Sequence, residues 1–228
     1  MKISFLRAAA EIVAVLTISI MALIYAAAAW GPYASAFGML AGVAAAIVFI
    51  RLRGERLSDF GFRAAPILKS FLAIAAILAV AVALFVYIEP SLERITGPVD
   101  LSFFAPLEGN APLYTLMLLV SWIGAGFGEE VVWRGFVMTR MAQAFSGSAA
   151  GWGAAIFLQA ILFTFLHAYQ DLTGMIEVFV IGIALGAAYL FVRRSLWPLI
   201  VAHGLIDTFV MTDFYFGMKY TEALRALF

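Results

Sequence analysis

Seven stretches of the chain, 12–30, 33–50, 70–88, 111–128, 149–166, 172–192 and 195–212, are almost continuously apolar and built from Ala, Leu, Ile, Val, Phe and Gly. None shows the period-2 alternation of a barrel strand, and each approaches the roughly 17–25 residues that a helix needs to cross a bilayer. The pattern predicts an all-α fold, a polytopic membrane helical bundle of about seven (six to eight) transmembrane helices. The polar stretches between the runs are short, so residues 1–228 are expected to form a single integral membrane domain.

Composition agrees with this solvent. Hydrophobic residues make up 65% of the chain and charged residues 12%, with a mean hydropathy of +1.04, well outside the usual soluble mix. Lys+Arg and Asp+Glu balance at 14 each and no dense basic tract occurs, so the expected partner is the lipid bilayer and not nucleic acid. The absence of cysteine excludes disulfides, thiolate catalysis and thiolate metal sites.

The charges also suggest an orientation. Arg51, Arg53, Arg56, Arg63 and Lys69 crowd the loop after the second run, and Arg193-Arg194 separates the last two; both loops read as cytoplasmic, as does the N-terminus with Lys2 and Arg7. The first run is too long for a signal-peptide core and meets Trp30-Gly31-Pro32, a poor cleavage site, so a retained first span is expected. Glu89, Glu93, Asp100 and Glu108 face only Arg94 in the loop 89–110, which suits the outer side. Lys219 and Arg225 run against an outward C-terminus, and a short interfacial tail helix leaves its side open. Gly124/Gly128 and Gly182/Gly186, at four-residue spacing, predict close helix packing.

Against this background the ionisable groups inside apolar runs stand out, because charge in hydrocarbon is costly and is kept where it is used. Glu129 and Glu130 are followed by Arg134; on an α-helix Glu130 and Arg134 pair at i,i+4, while Glu129 points about 100° away, free to accept a proton. The chain's two histidines are His167, one turn after Phe163, and His203, one turn before Asp207. Taken singly, each group reads as a packed structural polar residue; taken together they read as a site. Measured from a turn at Ser146-Gly147-Ser148, Glu129 and His167 lie about equally deep, roughly 25–30 Å along their helices. From Arg194, His203 lies about 13 Å in and Asp207 about 20 Å in, which predicts convergence in the cytoplasmic half of the bilayer.

Glu-Glu-x-x-x-Arg, Phe-x-x-x-His and His-x-x-x-Asp, each on its own membrane helix, resemble the CPBP family: the type II CAAX prenyl endopeptidases and the bacterial bacteriocin-processing and immunity proteins called Abi. The amphipathic segment 57–63 is also family-like, and the resemblance covers about residues 55–212, with a catalytic core at about 111–212. Asp207 stands where the prenyl proteases usually carry Asn. The resemblance implies hydrolysis of a peptide bond within the membrane, of a protein or peptide substrate, and the compact chain looks like a bacterial member of the inner (plasma) membrane. It also implies the roles: Glu129 as base, His167 orienting the same water, His203 and Asp207 stabilising the oxyanion, and Glu130 with Arg134 holding the helix end and tuning charge. Asp207 could instead contribute charge to a metal or to His203. A divalent metal, zinc, stays open, with His167, His203, Glu129 and Asp207 as candidate ligands, although no His-Glu-x-x-His helix is present. Two other readings stay open: a transporter or proton relay using the same buried groups, and a catalytically silent immunity or scaffold protein.

Overall fold

In hydrocarbon a backbone must satisfy its own hydrogen bonds, and apolar runs without alternation do so by coiling. The computed structural model describes residues 3–226 and is helical throughout, without a strand among them; Lys2 lies outside the described residues. Seven helices coincide with the seven apolar runs: α1 (Phe5–Trp30), α2 (Ala34–Leu52), α3 (Ile67–Thr96), α4 (Ala111–Ala144), α5 (Ala149–Phe165), α6 (Asp171–Phe191) and α7 (Trp197–Tyr215). A short α8 (Lys219–Arg225) follows, bent by 102° from α7. Five of these, α1 to α4 and α6, are long and apolar enough to cross a bilayer, and there are six if α7 and α8, the bent pair, count as one span. The remaining helix, α5, has 17 residues and spans about 25 Å. The chain is a polytopic helical bundle.

Local chemistry sets the helix ends. The side chain of Asn110 accepts from Leu113 N and starts α4 with Pro112 in the first turn; Ser148 accepts from Gly151 N (3.0 Å) and starts α5. The turn before α5 needs left-handed backbone at Ser146 and Gly147, as expected for the polar stretch there. Successive helices alternate in direction. Residues 51–66, 139–148 and 192–196 therefore share one end of the bundle with the start of α1: Leu196 N donates to Gly61 O (3.1 Å), and the rings of Phe5 and Phe145 meet at 6.2 Å. Residues 97–110, 167–170 and 216–226 share the other, where Gly109 N donates to Tyr215 O (3.0 Å) and Thr173 Oγ1 donates to Gly97 O. The start of α1 and the end of α7 thus lie at opposite ends of the bundle.

The basic end is knit together by ions. Fully buried Arg140 binds Glu11 (2.8 Å) on α1 and Glu55 (2.6 Å) in the loop after α2, with its guanidinium 4.7 Å over the ring of Phe60. Phe60 belongs to the amphipathic segment 57–63, and Gly61 behind it is required twice over. Its φ is +101°, and a Cβ would come 2.5 Å from the Leu196 side chain.

Glycines permit the closest crossings, as their spacing predicts. Gly124 and Gly128 meet Ala36 and Met39 of α2; Gly182 and Gly186 meet Ala160 and Ile156 of α5. Between α4 and α7 the decisive glycine is Gly204, where an added Cβ would lie 2.7 Å from the Trp122 ring. Gly204→Ala should therefore cost about 1–3 kcal/mol, read as a lowered thermal midpoint in detergent; an unchanged midpoint would show that the crossing yields freely.

One expectation fails in α4. Over Ser121–Met138 the helix is wound with π-type i→i+5 spacing, not α-type. Runs of π-helix are rare and associated with functional segments, and Gly124, Gly126 and Gly128 lower the resistance of this stretch to leaving α geometry.

Candidate active site

Charges buried in a bundle need partners, and the partners here define the site. Glu130 and Arg134 have no exposed surface and pair at 2.8 Å, so the expected ion pair forms despite the π winding. It does not, however, hold a helix end. It lies in the interior of α4, and the same Glu130 Oε1 also accepts from Nδ1–H of His203 on α7 at 2.8 Å. The His203 Nε2 in turn stands 3.8 Å from Asp207 Oδ1, and Asp207 Oδ2 accepts from the Ser121 hydroxyl at 2.6 Å. A continuous polar chain therefore runs Arg134, Glu130, His203, Asp207, Ser121, stitching α4 to α7.

Phe163 explains the Phe-x-x-x-His spacing. Its ring lies under the Arg134 guanidinium (4.7 Å) and 4.5 Å from the imidazole of His167, and Trp133 packs on its edge. The expected helical position of His167 is corrected: α5 ends before it, and His167 sits in the turn beyond, where its Nδ1–H donates to the Phe163 carbonyl (2.9 Å). This bond satisfies a carbonyl left over at the helix end and leaves Nε2 as the free acceptor.

The side chains of Glu129, His167, His203 and Asp207 line one cavity of about 670 Å³; Glu130 and Arg134 lie behind its wall. Glu129 is within electrostatic reach of His167, His203, Asp207 and Arg134, and among the described residues none hydrogen-bonds its carboxylate. The rest of the lining is largely apolar, including Leu23, Met39, Phe85, Val178, Ile181 and Ile206. The groups predicted from three separate helices are thus brought together.

Their depth differs from the expectation. The cavity is lined up to Asp100, Ser102, Tyr169 and Met218, and by no residue of 51–66, 139–148 or 192–197, so it opens at the end opposite the basic loops. Counting 1.5 Å per residue from the basic end could not show this, because α4 is π-wound and α5 stops short of His167.

The candidate metal set does not fit an ion. Among the described residues no three His, Asp or Glu side chains converge closely enough to hold one.

Several contributors escaped the sequence reading. Ser121 orients Asp207, and its only signal was a lone hydroxyl in an apolar run. Glu177 on α6 lies on the cavity at 6% exposure with Oε1 unpartnered, near Glu89, which is bound by Arg225 of α8 at 2.6 Å. A carboxylate within an apolar run was the available clue. At the mouth, the hydroxyl and backbone N–H of Ser102 bond Asp100 and hold its carboxyl below the usual range.

The comparison with known families bears on all of this. Residues 111–209 match the family model described as type II CAAX prenyl endopeptidase Rce1-like. This stretch is similar to an Rce1-like domain. It runs from the start of α4 into α7 and contains Glu129, Glu130, Arg134, His167, His203 and Asp207, while the segment 57–63 falls outside the match. The Rce1-like family is one of proteases, and with its apolar helices the chain is an integral membrane protein. No curated protein and no solved structure matches the chain.

Proposed function

We propose that this chain is an intramembrane endopeptidase that hydrolyses a peptide bond of a membrane-associated or lipidated polypeptide in a bacterial inner membrane. The observation that carries the reading is one carboxylate, Glu129, left without a hydrogen-bond partner among the described residues in an apolar cavity that it shares with two oriented imidazoles. A water held between Glu129 and His167 Nε2 gives its proton to Glu129 as its oxygen attacks the scissile carbonyl carbon. His203, carrying protons on both ring nitrogens, presents Nε2–H to the developing oxyanion, held in that pose by Glu130 and Asp207. The tetrahedral intermediate collapses as Glu129 passes its proton to the leaving amine, so the base becomes the acid and no proton is lost. Arg134 and Ser121 touch no reacting atom; they position Glu130 and Asp207. The mostly apolar walls suit a lipid chain or a helical substrate segment, excluding bulk water from the reaction.

The test is quantitative comparison of membrane-protein termini in cells carrying the native chain or Glu129→Gln. New termini made by the native chain should vanish in the variant; identical terminus sets would overturn the reading. Because the donor set does not fit an ion, proteolysis by purified protein should persist after exhaustive chelation. Loss of activity on chelation, restored by zinc alone, would reverse that assignment.

A further inference from the structure

The reading of the site as proteolytic leaves open from which face the substrate arrives, and two independent features of the molecule answer together. First, the cations divide by end. Arg51, Arg53, Arg56, Arg63, Lys69, Arg140 and Arg193-Arg194 all lie at the end where α1 begins, in or next to loops short enough for positive charge to set orientation. The opposite end carries only Arg94, Lys219 and Arg225, and Arg225 is bound to Glu89. Carboxylates at the basic end, such as Glu11 and Glu55, do not cancel the bias, because acidic residues contribute little to orientation. Second, the cavity holding Glu129 opens at the cation-poor end, past Asp100, Ser102 and Tyr169, and no residue of the basic loops lines it.

From this juxtaposition we infer that the Rce1-like cavity faces away from the cytoplasm and takes exported substrates: membrane-anchored or secreted polypeptides presented from the non-cytoplasmic side. Resting on the proteolytic reading for the word substrate, the inference stands on geometry and charge for the direction. The mouth supports it chemically. Asp100 lines it, and Glu93 and Glu108 lie at the same end of the bundle, so a basic segment of an exported chain is the complementary occupant.

The chain has no cysteine, so single-cysteine variants report access cleanly. Ser102→Cys and, as a second mouth position, Asp100→Cys would be compared with Arg56→Cys at the basic end, where the arginine side chain is 83% exposed. A membrane-impermeant maleimide added to intact spheroplasts should label both mouth positions and leave position 56 unlabelled until the membrane is permeabilised. Labelling of position 56 from outside with the mouth protected, or equal labelling of the two ends, would overturn the inference. The readout does not use catalysis, so the same pattern is expected in a Glu129→Gln background; failure of the proteolytic reading would leave labelling unchanged and appear only in the terminus comparison.

Discussion

Glu129→Gln should reduce peptide-bond hydrolysis by about 10²–10⁴-fold, the range spanned by a positioned general base, while leaving the fold intact. The two halves of this expectation come from the same observation. Glu129 borders the cavity and belongs to no hydrogen bond or ion pair among the described residues, so its amide analogue keeps shape and volume and disturbs nothing that holds α4 in place. What the amide loses is the capacity to take a proton from water and return it to the leaving amine. The measurement is kcat/KM on a substrate recovered from the terminus comparison, alongside the thermal midpoint of the same preparation. A rate within about tenfold of the native chain would remove Glu129 from the mechanism, whatever the midpoint does.

Glu130→Ala should act through the opposite balance, destabilising the bundle by about 3–5 kcal/mol and silencing it as a consequence. Glu130 and Arg134 have no exposed surface, and Arg134 Nε and Nη2 already lack partners. Removing the carboxylate strands a guanidinium with only the Phe163 ring beneath it, and releases His203 Nδ1 at the same stroke. Unfolding in detergent would measure the loss. A second variant separates structure from chemistry: Glu130→Leu combined with Arg134→Met removes both charges and should recover much of the stability without recovering activity, because His203 remains unoriented. Full activity in the double variant would show that His203 needs no support from Glu130.

The contrast between these two neighbours measures how far the chain could be read. Two adjacent glutamates in one apolar run announced a site, and i,i+4 spacing correctly paired Glu130 with Arg134. The spacing said nothing of His203, which reaches Glu130 from 73 residues away. Equally, Phe163 and His167 were visible as a motif, but the reason for the spacing, one ring serving Arg134 on α4 and His167 in the turn after α5, required both segments in place. Ser121 and Glu177 carried weak signals, a hydroxyl and a carboxylate within apolar runs, and were overlooked because neither belonged to a motif. The π winding of Ser121–Met138 left no mark in the pattern of side chains, since apolar residues satisfy either winding.

By itself, then, the order of residues determined the solvent, the helices, the cation-rich and acidic ends and the short roll of ionisable groups worth watching. These follow from local composition and period, because a bilayer demands continuous apolar helices and taxes every charge within them. Only the tertiary structure decided which carboxylate faces the cavity, which is locked to Arg134 and His203, that no metal set converges among the described residues, and at which end the cavity opens. Those are relations between helices distant along the chain, set by where Gly126 and Gly204 let α4 and α7 close together and by where α5 stops, and no count along a single helix contains them.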